Sequence, residues 1–362
     1  MVAPVTDHDA IQLFSPLAPM MLSKSPITQL VTLHCSFLVG FSLSVSTDPI
    51  RALYAGYHDR YADYKTCLEE AFRELNLDVS LTDDLDSHPS QVKYIIYNPK
   101  GPLQDFSPYT NVKAVFNLQA GADAVANNPT LPPSVPLTRM VDPGLREGMV
   151  EYVVGHVLRH HLSMDQMWEQ KRAGVWQPRG MPLARQKKIG ILGLGELGSS
   201  CANALMRLNF QLLGWSRSAK KMDGILCYDG PTGLITVLQE SDILVLLLPN
   251  TEETHHILNR ENLVQCKKGA YIINVGRGNS IQEDDLLEAV IEGTISGATL
   301  DVFHREPLPD NHPFWKHPQI LVTPHIAAKS RPSTASQVVA QNIRRAESGR
   351  PLLYLVDREA GY

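Results

Sequence analysis

The sequence predicts an α/β protein with two domains, each built on a doubly wound parallel sheet. Three observations lead to this prediction. The chain has 362 residues, which is long for a single hydrophobic core. From Arg51 onward, short apolar runs alternate with amphipathic stretches, as in parallel sheets covered by helices. A glycine-rich turn, Gly193-Leu194-Gly195-Glu196-Leu197-Gly198, directly follows one apolar run and opens a second α/β unit.

The bulk composition excludes several classes of protein. Hydrophobic residues make up 43% and charged residues 20% of the chain, which is typical of a globular protein in water. The net charge of -5 gives no support for a nucleic-acid partner. The five cysteines lack C-x-x-C spacing, so we expect free thiols, a cytoplasmic location and no metal site.

Residues 1–48 differ from the rest of the chain. The stretch from Ile27 to Val45 is apolar but is interrupted by threonine, glutamine, histidine and serines, so it does not suit a membrane span. Little positive charge precedes it, and no arginine occurs before Arg51, which argues against a secretory signal and a transit peptide. We interpret these residues as a poorly ordered extension, and the sequence leaves their role open.

The first domain begins with a predicted strand at Arg51–Tyr57 and a helix at Tyr61–Leu75. Three further apolar runs predict strands at Asp78–Leu81, Tyr94–Tyr97 and Val112–Leu118. A stretch rich in asparagine and proline, residues 127–136, predicts a loop.

The second domain follows a long predicted helix at Met149–His161. Six apolar runs then predict the strands Lys188–Leu192, Phe210–Gly214, Ile243–Leu248, Ala270–Val275, Gly297–Asp301 and Ile320–Thr323. Six strands in βα alternation match two mononucleotide-binding halves of a Rossmann-like sheet. A last helix, Ser333–Glu347, has no strand partner of its own, and we expect it to pack on the first domain.

The glycine turn predicts a dinucleotide site, because it follows an apolar strand and opens a helix. Gly193 permits the tight turn, and Gly195 lets the backbone approach a pyrophosphate. Gly198 lets the helix pack on the strand, while the helix N-terminus favours negative charge. Glu196 and Leu197, at this N-terminus, are further candidate contacts to the cofactor. The alternative is a glycine turn without a ligand.

The end of the next strand predicts NADPH as the cofactor, with NADH as a weaker alternative. An NAD enzyme usually has a carboxylate here, whereas this chain has Trp215-Ser216-Arg217-Ser218, followed by Lys220 and Lys221. The fork of Arg217 can pair with a 2′-phosphate, and both serines can donate to it. The alternative is that Arg217 is a surface cation. Further candidate contacts to the cofactor are Leu248, Pro249, Asn250, Thr254 (otherwise a helix cap) and Val275.

Three side chains near the end of the chain suit the reduction of a 2-keto acid. Arg277 follows an apolar strand and can bind a carboxylate and a carbonyl oxygen. His325 can donate a proton near neutral pH, and Glu306 can bond its far nitrogen and favour the charged ring. Asp301 can steer a nicotinamide or act on this pair from further away. Each residue taken alone also suits an ordinary loop position, but all three follow strands after a dinucleotide turn.

These residues occur in motifs that resemble the D-isomer-specific 2-hydroxyacid dehydrogenase family over roughly residues 51–362. Within the family, the bacterial enzymes that reduce glyoxylate and hydroxypyruvate are the most similar. The shared segments are Val141-Asp142-Pro143-Gly144, Trp215-Ser216-Arg217-Ser218, Leu247-Leu248-Pro249-Asn250-Thr251, Asp301-Val302-Phe303, Glu306-Pro307-Leu308-Pro309, Thr323-Pro324-His325-Ile326-Ala327-Ala328, Arg331-Pro332, Val356-Asp357-Arg358 and Gly361-Tyr362.

The resemblance implies a cofactor domain (149–327) inserted into a discontinuous substrate domain (49–148 and 328–362). It implies that Arg277, Glu306 and His325 are catalytic, and that a homodimer forms through the cofactor domain. It also implies that the substrate lies near the amides of Ala120 and Gly121, with Tyr97 over its pocket. Gln119 departs from the small residue usual in these enzymes, which leaves the preferred substrate open.

The leading hypothesis is therefore an NADPH-dependent reductase that converts glyoxylate to glycolate and hydroxypyruvate to D-glycerate. A second hypothesis is a reductase of another 2-keto acid, with a larger or aromatic substituent. Formate dehydrogenase shares the fold but pairs its histidine with glutamine, so Glu306 argues against it. A third hypothesis, from another class, is a non-catalytic protein that senses a dinucleotide.

Overall fold

The structure is a computed structural model that describes residues 48–359. Residues 1–47 and 360–362 lie outside the described residues. The predicted N-terminal extension, apart from Asp48, and the final Gly361-Tyr362 segment therefore lie outside them too.

The first lobe contains a five-stranded parallel sheet within the described residues. Its strands are β1 (Ile50–Ala55), β2 (Val79–Thr82), β3 (Tyr94–Tyr97), β4 (Ala114–Asn117) and β5 (Leu137–Thr138), in the order β2-β1-β3-β4-β5. Its helices include α1 (Tyr61–Glu74) and the short α2 (Asp123–Ala126). The strand order is that of a flavodoxin-like sheet. The sequence pattern missed β5, which has only two residues and so gives no apolar run.

A long helix, α3 (Pro143–His161), leads out of the first lobe and is followed by α4 (Met164–Ala173). The prediction placed the start of α3 too late, at Met149. The actual start is fixed by Asp142, whose carboxylate accepts a hydrogen bond from the amide of Leu145 (3.1 Å), and by proline at the first helical position.

The second lobe contains a seven-stranded parallel sheet in the described part of the chain. Its strands are β6 (Lys188–Leu192), β7 (Gln211–Ser216), β8 (Ile225–Asp229), β9 (Ile243–Leu246), β10 (Ala270–Asn274), β11 (Ile295–Leu300) and β12 (Ile320–Val322). Their order is β12-β11-β10-β9-β6-β7-β8, which reverses direction at β6 and β9 as in a Rossmann-type sheet. The helices are α5 (Glu196–Arg207), α6 (Gly230–Glu240), α7 (Arg260–Leu263) and α8 (Glu283–Ile291).

The prediction of six strands in this sheet was wrong, because β8 is a seventh. This strand lies at the edge of the sheet, pairs only with β7 among the described strands, and is buried fully only at Ile225. Its apolar run, Ile225-Leu226-Cys227-Tyr228, is short and has a single β-branched residue, so the sequence predicts a strand there less strongly than in the runs beside it.

The last helix, α9 (Pro332–Glu347), returns to the first lobe. Its buried residues Ala335, Val339 and Ile343 join the core that contains Leu68 and Phe72 of α1. This confirms the predicted packing of the last helix, while the exact domain boundaries stay a prediction. No helix among residues 48–359 is both long and apolar enough to cross a membrane.

Candidate active site

The glycine turn between β6 and α5 leaves open space for a ligand. Gly193 has φ +104°, and a Cβ there would lie 2.6 Å from the carbonyl oxygen of Leu247. A Cβ at Gly198 would lie 1.8 Å from the carbonyl oxygen of Gly193, whereas a Cβ at Gly195 would meet nothing within 4 Å. Two of these glycines therefore serve close packing, and the third faces open space. Because α5 begins at Glu196, this space lies at a helix N-terminus, which suits a pyrophosphate.

Positive charge lies beside this turn. Arg217 and Ser218 are exposed after β7, and Lys220 Nζ donates a hydrogen bond to the carbonyl oxygen of Leu194 (2.5 Å). Ser216 is buried, and its hydroxyl donates to the carbonyl oxygen of Ser218 (2.9 Å). In this structure Ser216 therefore stabilises the turn, and Arg217 and Ser218 are the residues accessible to a 2′-phosphate.

The segment after β9 forms a turn that is held by hydrogen bonds between its own residues. Leu248 is buried, and Pro249 and Asn250 are half-buried. Thr254 is buried; its hydroxyl donates to the carbonyl oxygen of Pro249 (2.7 Å) and accepts from the amide of Thr251 (2.9 Å). The hydroxyl thus caps this turn in the structure, which was the alternative to phosphate binding, and the contact of Thr254 with a cofactor stays a prediction.

Arg277 lies in a loop that is shaped by a buried asparagine. Asn274, 1% exposed at the end of β10, donates to the carbonyl oxygen of Arg277 (3.0 Å) and accepts from the amide of Gly276 (3.1 Å). Val275 is buried between them. This fixed loop directs Arg277 away from the sheet and toward the first lobe.

The guanidinium of Arg277 contacts the first lobe at two points. Its Nε donates to Oδ2 of Asp123 (3.1 Å) and its Nη2 to Oδ1 (3.4 Å). It also lies against Gly121, where a Cβ would fall 1.2 Å from Nη2. The sequence did not predict Asp123 as a partner, although it placed Gly121 and Ala120 near the substrate.

The turn that carries Ala120 and Gly121 is held from below. Asn117, fully buried at the end of β4, donates to the carbonyl oxygens of Gln119 (3.1 Å) and Gly121 (2.8 Å). The side chain of Gln119 donates to Oδ1 of Asn98 (3.3 Å). The sequence indicates neither of these two asparagines, because a neutral amide at the end of an apolar strand has no charge or motif that marks it.

Tyr97, which the resemblance places over a small substrate pocket, is buried in this structure. Its side chain is 3% exposed and packs in the core of the first lobe, where its ring centroid lies 5.2 Å from that of Phe106. At the end of β3 the alternation of side chains directs this ring to the same face as Ile95, inside the core. Any contact between Tyr97 and a substrate stays a prediction.

His325 and Glu306 form the pair that the sequence predicted. His325 Nδ1 lies 2.7 Å from Glu306 Oε2, and Glu306 Oε1 accepts from the amide of Phe303 (3.2 Å). Burial raises the pKa of the Glu306 carboxyl, but the hydrogen bond and charge of His325, the Phe303 amide and the charge of Lys100 bring it below its usual value. Glu306 is therefore an ionised partner for the ring.

The loop that carries His325 is anchored on Asp301. This residue is 1% exposed at the end of β11, and its oxygens accept from the amides of Ile326 (2.8 Å) and Ala327 (2.8 Å) and from the hydroxyl of Thr323 (2.6 Å). The hydroxyl of Tyr152 on α3 lies 2.6 Å from that of Thr323. These bonds give Asp301 a positioning role, while its predicted contact with a nicotinamide stays a prediction.

Arg277, Glu306 and His325 thus follow β10, β11 and β12, whose carboxyl ends meet at one edge of the second sheet. The glycine turn follows β6 at the same edge. Ligands of open α/β sheets bind at this edge, near the reversal of strand order. No group of three or more histidine, cysteine, aspartate or glutamate side chains in the described residues is arranged to hold a metal ion.

Comparisons with known proteins agree with this geometry. The family model for the NAD binding domain of D-isomer specific 2-hydroxyacid dehydrogenases matches residues 154–327. The chain is also similar to glyoxylate/hydroxypyruvate reductase A of Yersinia enterocolitica. The two are 40% identical over 282 residues, which cover 76% of this chain and 89% of the relative.

Solved structures with the same fold include two enzymes crystallised with a dinucleotide. The D-isomer specific 2-hydroxyacid dehydrogenase of Xanthobacter autotrophicus Py2, in complex with NADPH and MES, has a TM-score of 0.81 and 38% identity, and covers 87% of this chain and 100% of its own. The NADPH-dependent glyoxylate/hydroxypyruvate reductase of Sinorhizobium meliloti, in complex with NADP and sulfate, has a TM-score of 0.80 and 34% identity. The match covers 86% of this chain and 100% of the Sinorhizobium chain.

The fold, the edge of the sheet and the extent of these similarities lead to one conclusion. The chain belongs to the D-isomer specific 2-hydroxyacid dehydrogenase family and is an NAD(P)-dependent oxidoreductase.

Proposed function

We propose that this protein reduces glyoxylate to glycolate and hydroxypyruvate to D-glycerate with NADPH as the reductant. One observation carries the proposal: the His325–Glu306 pair and Arg277 lie at the carboxyl edge of the sheet that also bears the dinucleotide turn. The similarity to a glyoxylate/hydroxypyruvate reductase from Yersinia enterocolitica supports these substrates.

The residues present fit NADPH. The open space at Gly195 and the N-terminus of α5 suit the pyrophosphate, and exposed Arg217 and Ser218, near Lys220, suit a 2′-phosphate. When bound, the nicotinamide supplies the hydride. Two similar enzymes were crystallised with NADPH or NADP, which supports NADPH rather than NADH as the cofactor.

The substrate carboxylate is anchored by Arg277 together with the amides near Ala120 and Gly121. The guanidinium lies directly against Gly121, so one anion can contact both the guanidinium and the amides of this turn. A fixed positive charge also polarises the ketone and stabilises the alkoxide as it develops. Arginine suits this task because it stays charged and presents parallel donors to a carboxylate.

His325 supplies the proton to the alkoxide. Its Nδ1 bonds to Glu306, so the Nε2 side of the ring faces away from that carboxylate and is the side that can donate. Glu306 is held ionised by its contacts, and it therefore favours the protonated imidazolium before the reaction. After donation, the same bond fixes the neutral tautomer with its hydrogen on Nδ1.

Steady-state assays across a panel of 2-keto acids test this proposal. We expect oxidation of NADPH with glyoxylate and hydroxypyruvate, and kcat/KM at least about tenfold lower with NADH, a difference of roughly 1.4 kcal/mol. A higher kcat/KM with pyruvate or phenylpyruvate than with glyoxylate and hydroxypyruvate would indicate that the physiological substrate is another 2-keto acid. The polar side chain of Gln119 is compatible with that alternative. NADPH binding without turnover of any keto acid would favour a dinucleotide sensor.

We also propose a homodimer formed through the second lobe, and a cytoplasmic location. Apolar side chains that are exposed on and after α4 support a partner surface there, among them Trp168 (58% exposed) and Trp176 (94% exposed). Light scattering of the purified chain tests the dimer: a mass near 40.2 kDa would indicate a monomer, and twice that mass a dimer.

A further inference from the structure

The ion pair between Arg277 and Asp123 joins the two lobes at the candidate active site. Asp123 begins α2 in the first lobe, whereas Arg277 lies in the loop after β10 in the second. Both side chains are about 28–29% exposed, so the pair is partly shielded from water. The proposed reaction assigns no task to Asp123.

The position of Asp123 is fixed by its own lobe. Buried Asn117 holds the carbonyl oxygens of Gln119 and Gly121, so the turn that leads into α2 is rigid. The guanidinium rests on this turn, because Gly121 leaves a gap into which Nη2 fits. A carboxylate carried on a backbone turn that is itself hydrogen-bonded to buried Asn117 can set the plane of the guanidinium as well as its location.

The hydrogen bonds of Arg277 leave one edge of its guanidinium for a ligand. A guanidinium has five N–H groups. Nε and one N–H of Nη2 point to Asp123, and one N–H of Nη1 points to the carbonyl oxygen of Gly276 (3.0 Å). Among the described contacts, one N–H on Nη1 and one on Nη2 remain. These two lie side by side on the outer edge, and two parallel donors match a carboxylate.

We propose that Asp123 is a positioning residue that acts through Arg277, by turning the outer Nη1–Nη2 edge toward the carboxylate of a 2-keto acid. This inference rests on the proposed role of Arg277 as the carboxylate anchor. Because the two residues belong to different lobes, the approach of the lobes aligns the guanidinium. An Arg277 without Asp123 keeps its charge but loses its fixed orientation.

Binding of oxamate, a non-reducible analogue of a 2-keto acid, tests the inference without the need for turnover. Its Kd is measured on the NADPH-loaded protein by quenching of cofactor fluorescence, for Asp123→Ala, Asp123→Asn, Arg277→Ala and the double variant Asp123→Ala/Arg277→Ala. We expect Asp123→Ala to raise the Kd about tenfold, which corresponds to roughly 1.4 kcal/mol. Asp123→Asn keeps one acceptor oxygen, so its Kd for oxamate should lie between the Kd of the wild type and that of Asp123→Ala.

The double variant separates action through Arg277 from an independent effect. If Asp123 acts through Arg277, adding Asp123→Ala to Arg277→Ala leaves the Kd unchanged. An equal increase in both backgrounds would overturn the inference. Glu69→Gln is the matched control, since it removes an exposed ion pair with Lys65 (3.9 Å) in the same lobe.

The outcomes also distinguish this inference from the proposed function. If Arg277→Ala itself bound oxamate as tightly as the wild type, the anchoring role of Arg277 would fail. If Arg277→Ala lost binding while both Asp123 variants kept it, the inference about Asp123 alone would fail. Should Asp123→Ala not fold, the near-isosteric Asp123→Asn decides: a wild-type Kd there contradicts the inference, and a raised Kd supports it.

Discussion

The imidazole of His325 is bonded through Nδ1 to Oε2 of Glu306 at 2.7 Å. The other oxygen of Glu306 accepts from the amide of Phe303, so the backbone of its own turn orients the carboxylate. The two side chains follow neighbouring strands, β12 and β11, and their bond joins the two loops. This geometry lets Glu306 set both the charge and the tautomer of the ring.

Replacing Glu306 with glutamine should impair the reaction while leaving NADPH binding intact. The amide cannot stabilise the imidazolium as a carboxylate does, so we expect kcat/KM for hydroxypyruvate to fall roughly 10- to 100-fold. Because the pKa of Glu306 is held below its usual value, its carboxylate should stay ionised as the pH falls into the mildly acidic range. Rates measured from neutral pH downward check this expectation.

The control for this variant is Glu240→Gln. It removes an ion pair with Lys188 at the opposite, amino-terminal edge of the sheet (2.6 Å) and should leave kcat/KM unchanged. An unaltered rate for Glu306→Gln would mean that Glu306 does not act on the ring.

Arg217→Asp should change the cofactor preference. The substitution removes the cation beside the predicted 2′-phosphate position and introduces a carboxylate, which suits the ribose hydroxyls of NADH. We expect KM for NADPH to rise at least about tenfold and KM for NADH to fall, whereas Lys268→Asp, at an exposed site before β10, changes neither. A preference that does not move would remove Arg217 from the cofactor site.

Gly121→Ala should weaken substrate binding without unfolding the protein. A methyl group there would fall 1.2 Å from Nη2 of Arg277, so the guanidinium must move. It can do so because it is the end of a flexible side chain and not backbone. We expect a large rise in KM with wild-type thermal stability. Gly180→Ala, where a Cβ meets nothing within 4 Å, is the matched control.

Tyr152→Phe and Asp301→Ala should show graded effects on the His325 loop. The first removes one hydroxyl at the end of a chain that runs through Thr323 to Asp301, and we expect a loss of about 1 kcal/mol in the free energy of unfolding. The second leaves the amides of Ile326 and Ala327 without their acceptor and should lower both stability and kcat more strongly. Denaturant unfolding measures the stability of both variants, and steady-state turnover measures their kcat. Equal, small effects would contradict an anchoring role for Asp301.

The stability of the protein should decrease in mild acid because of His160. Burial first, and then the charge of Lys187, lowers the pKa of His160 to about 4, from an ordinary value of 6.5. Between pH 6.5 and about 4, His160 is therefore protonated in the unfolded chain but stays neutral in the folded chain. The free energy of unfolding falls as the pH drops through this range.

His160→Phe tests this dependence, since it keeps an aromatic ring against Tyr271. We expect a smaller loss of unfolding free energy between pH 7 and pH 5 than in the wild type. An identical loss for His160→Phe and the wild type would contradict the assignment.

Sequence patterns were sufficient where one segment carries the whole signal. The strands Tyr94–Tyr97 and Lys188–Leu192 coincide with β3 and β6, because both are short apolar runs. Arg277, Glu306 and His325 were each visible after such a run. The edge strand β8 was missed because its apolar run is only four residues long and has a single β-branched residue.

Contacts between distant segments could not be read from the sequence. Asp123 and Arg277 are separated by 154 positions, and no local pattern indicates which turn of the first lobe faces the loop after β10. Tyr97 lies in the core because of the alternation along β3, which a comparison of motifs does not consider. Buried amides such as that of Asn117 act on backbone groups, so their role appears only in three dimensions.

The most direct test of the account is kcat/KM for hydroxypyruvate with NADPH, measured side by side for the wild type and His325→Ala. We predict that the wild type turns over, and that loss of the proton donor lowers kcat/KM by roughly 10²- to 10⁴-fold while the Kd for NADPH is unchanged. Turnover close to the wild-type rate in His325→Ala would contradict it.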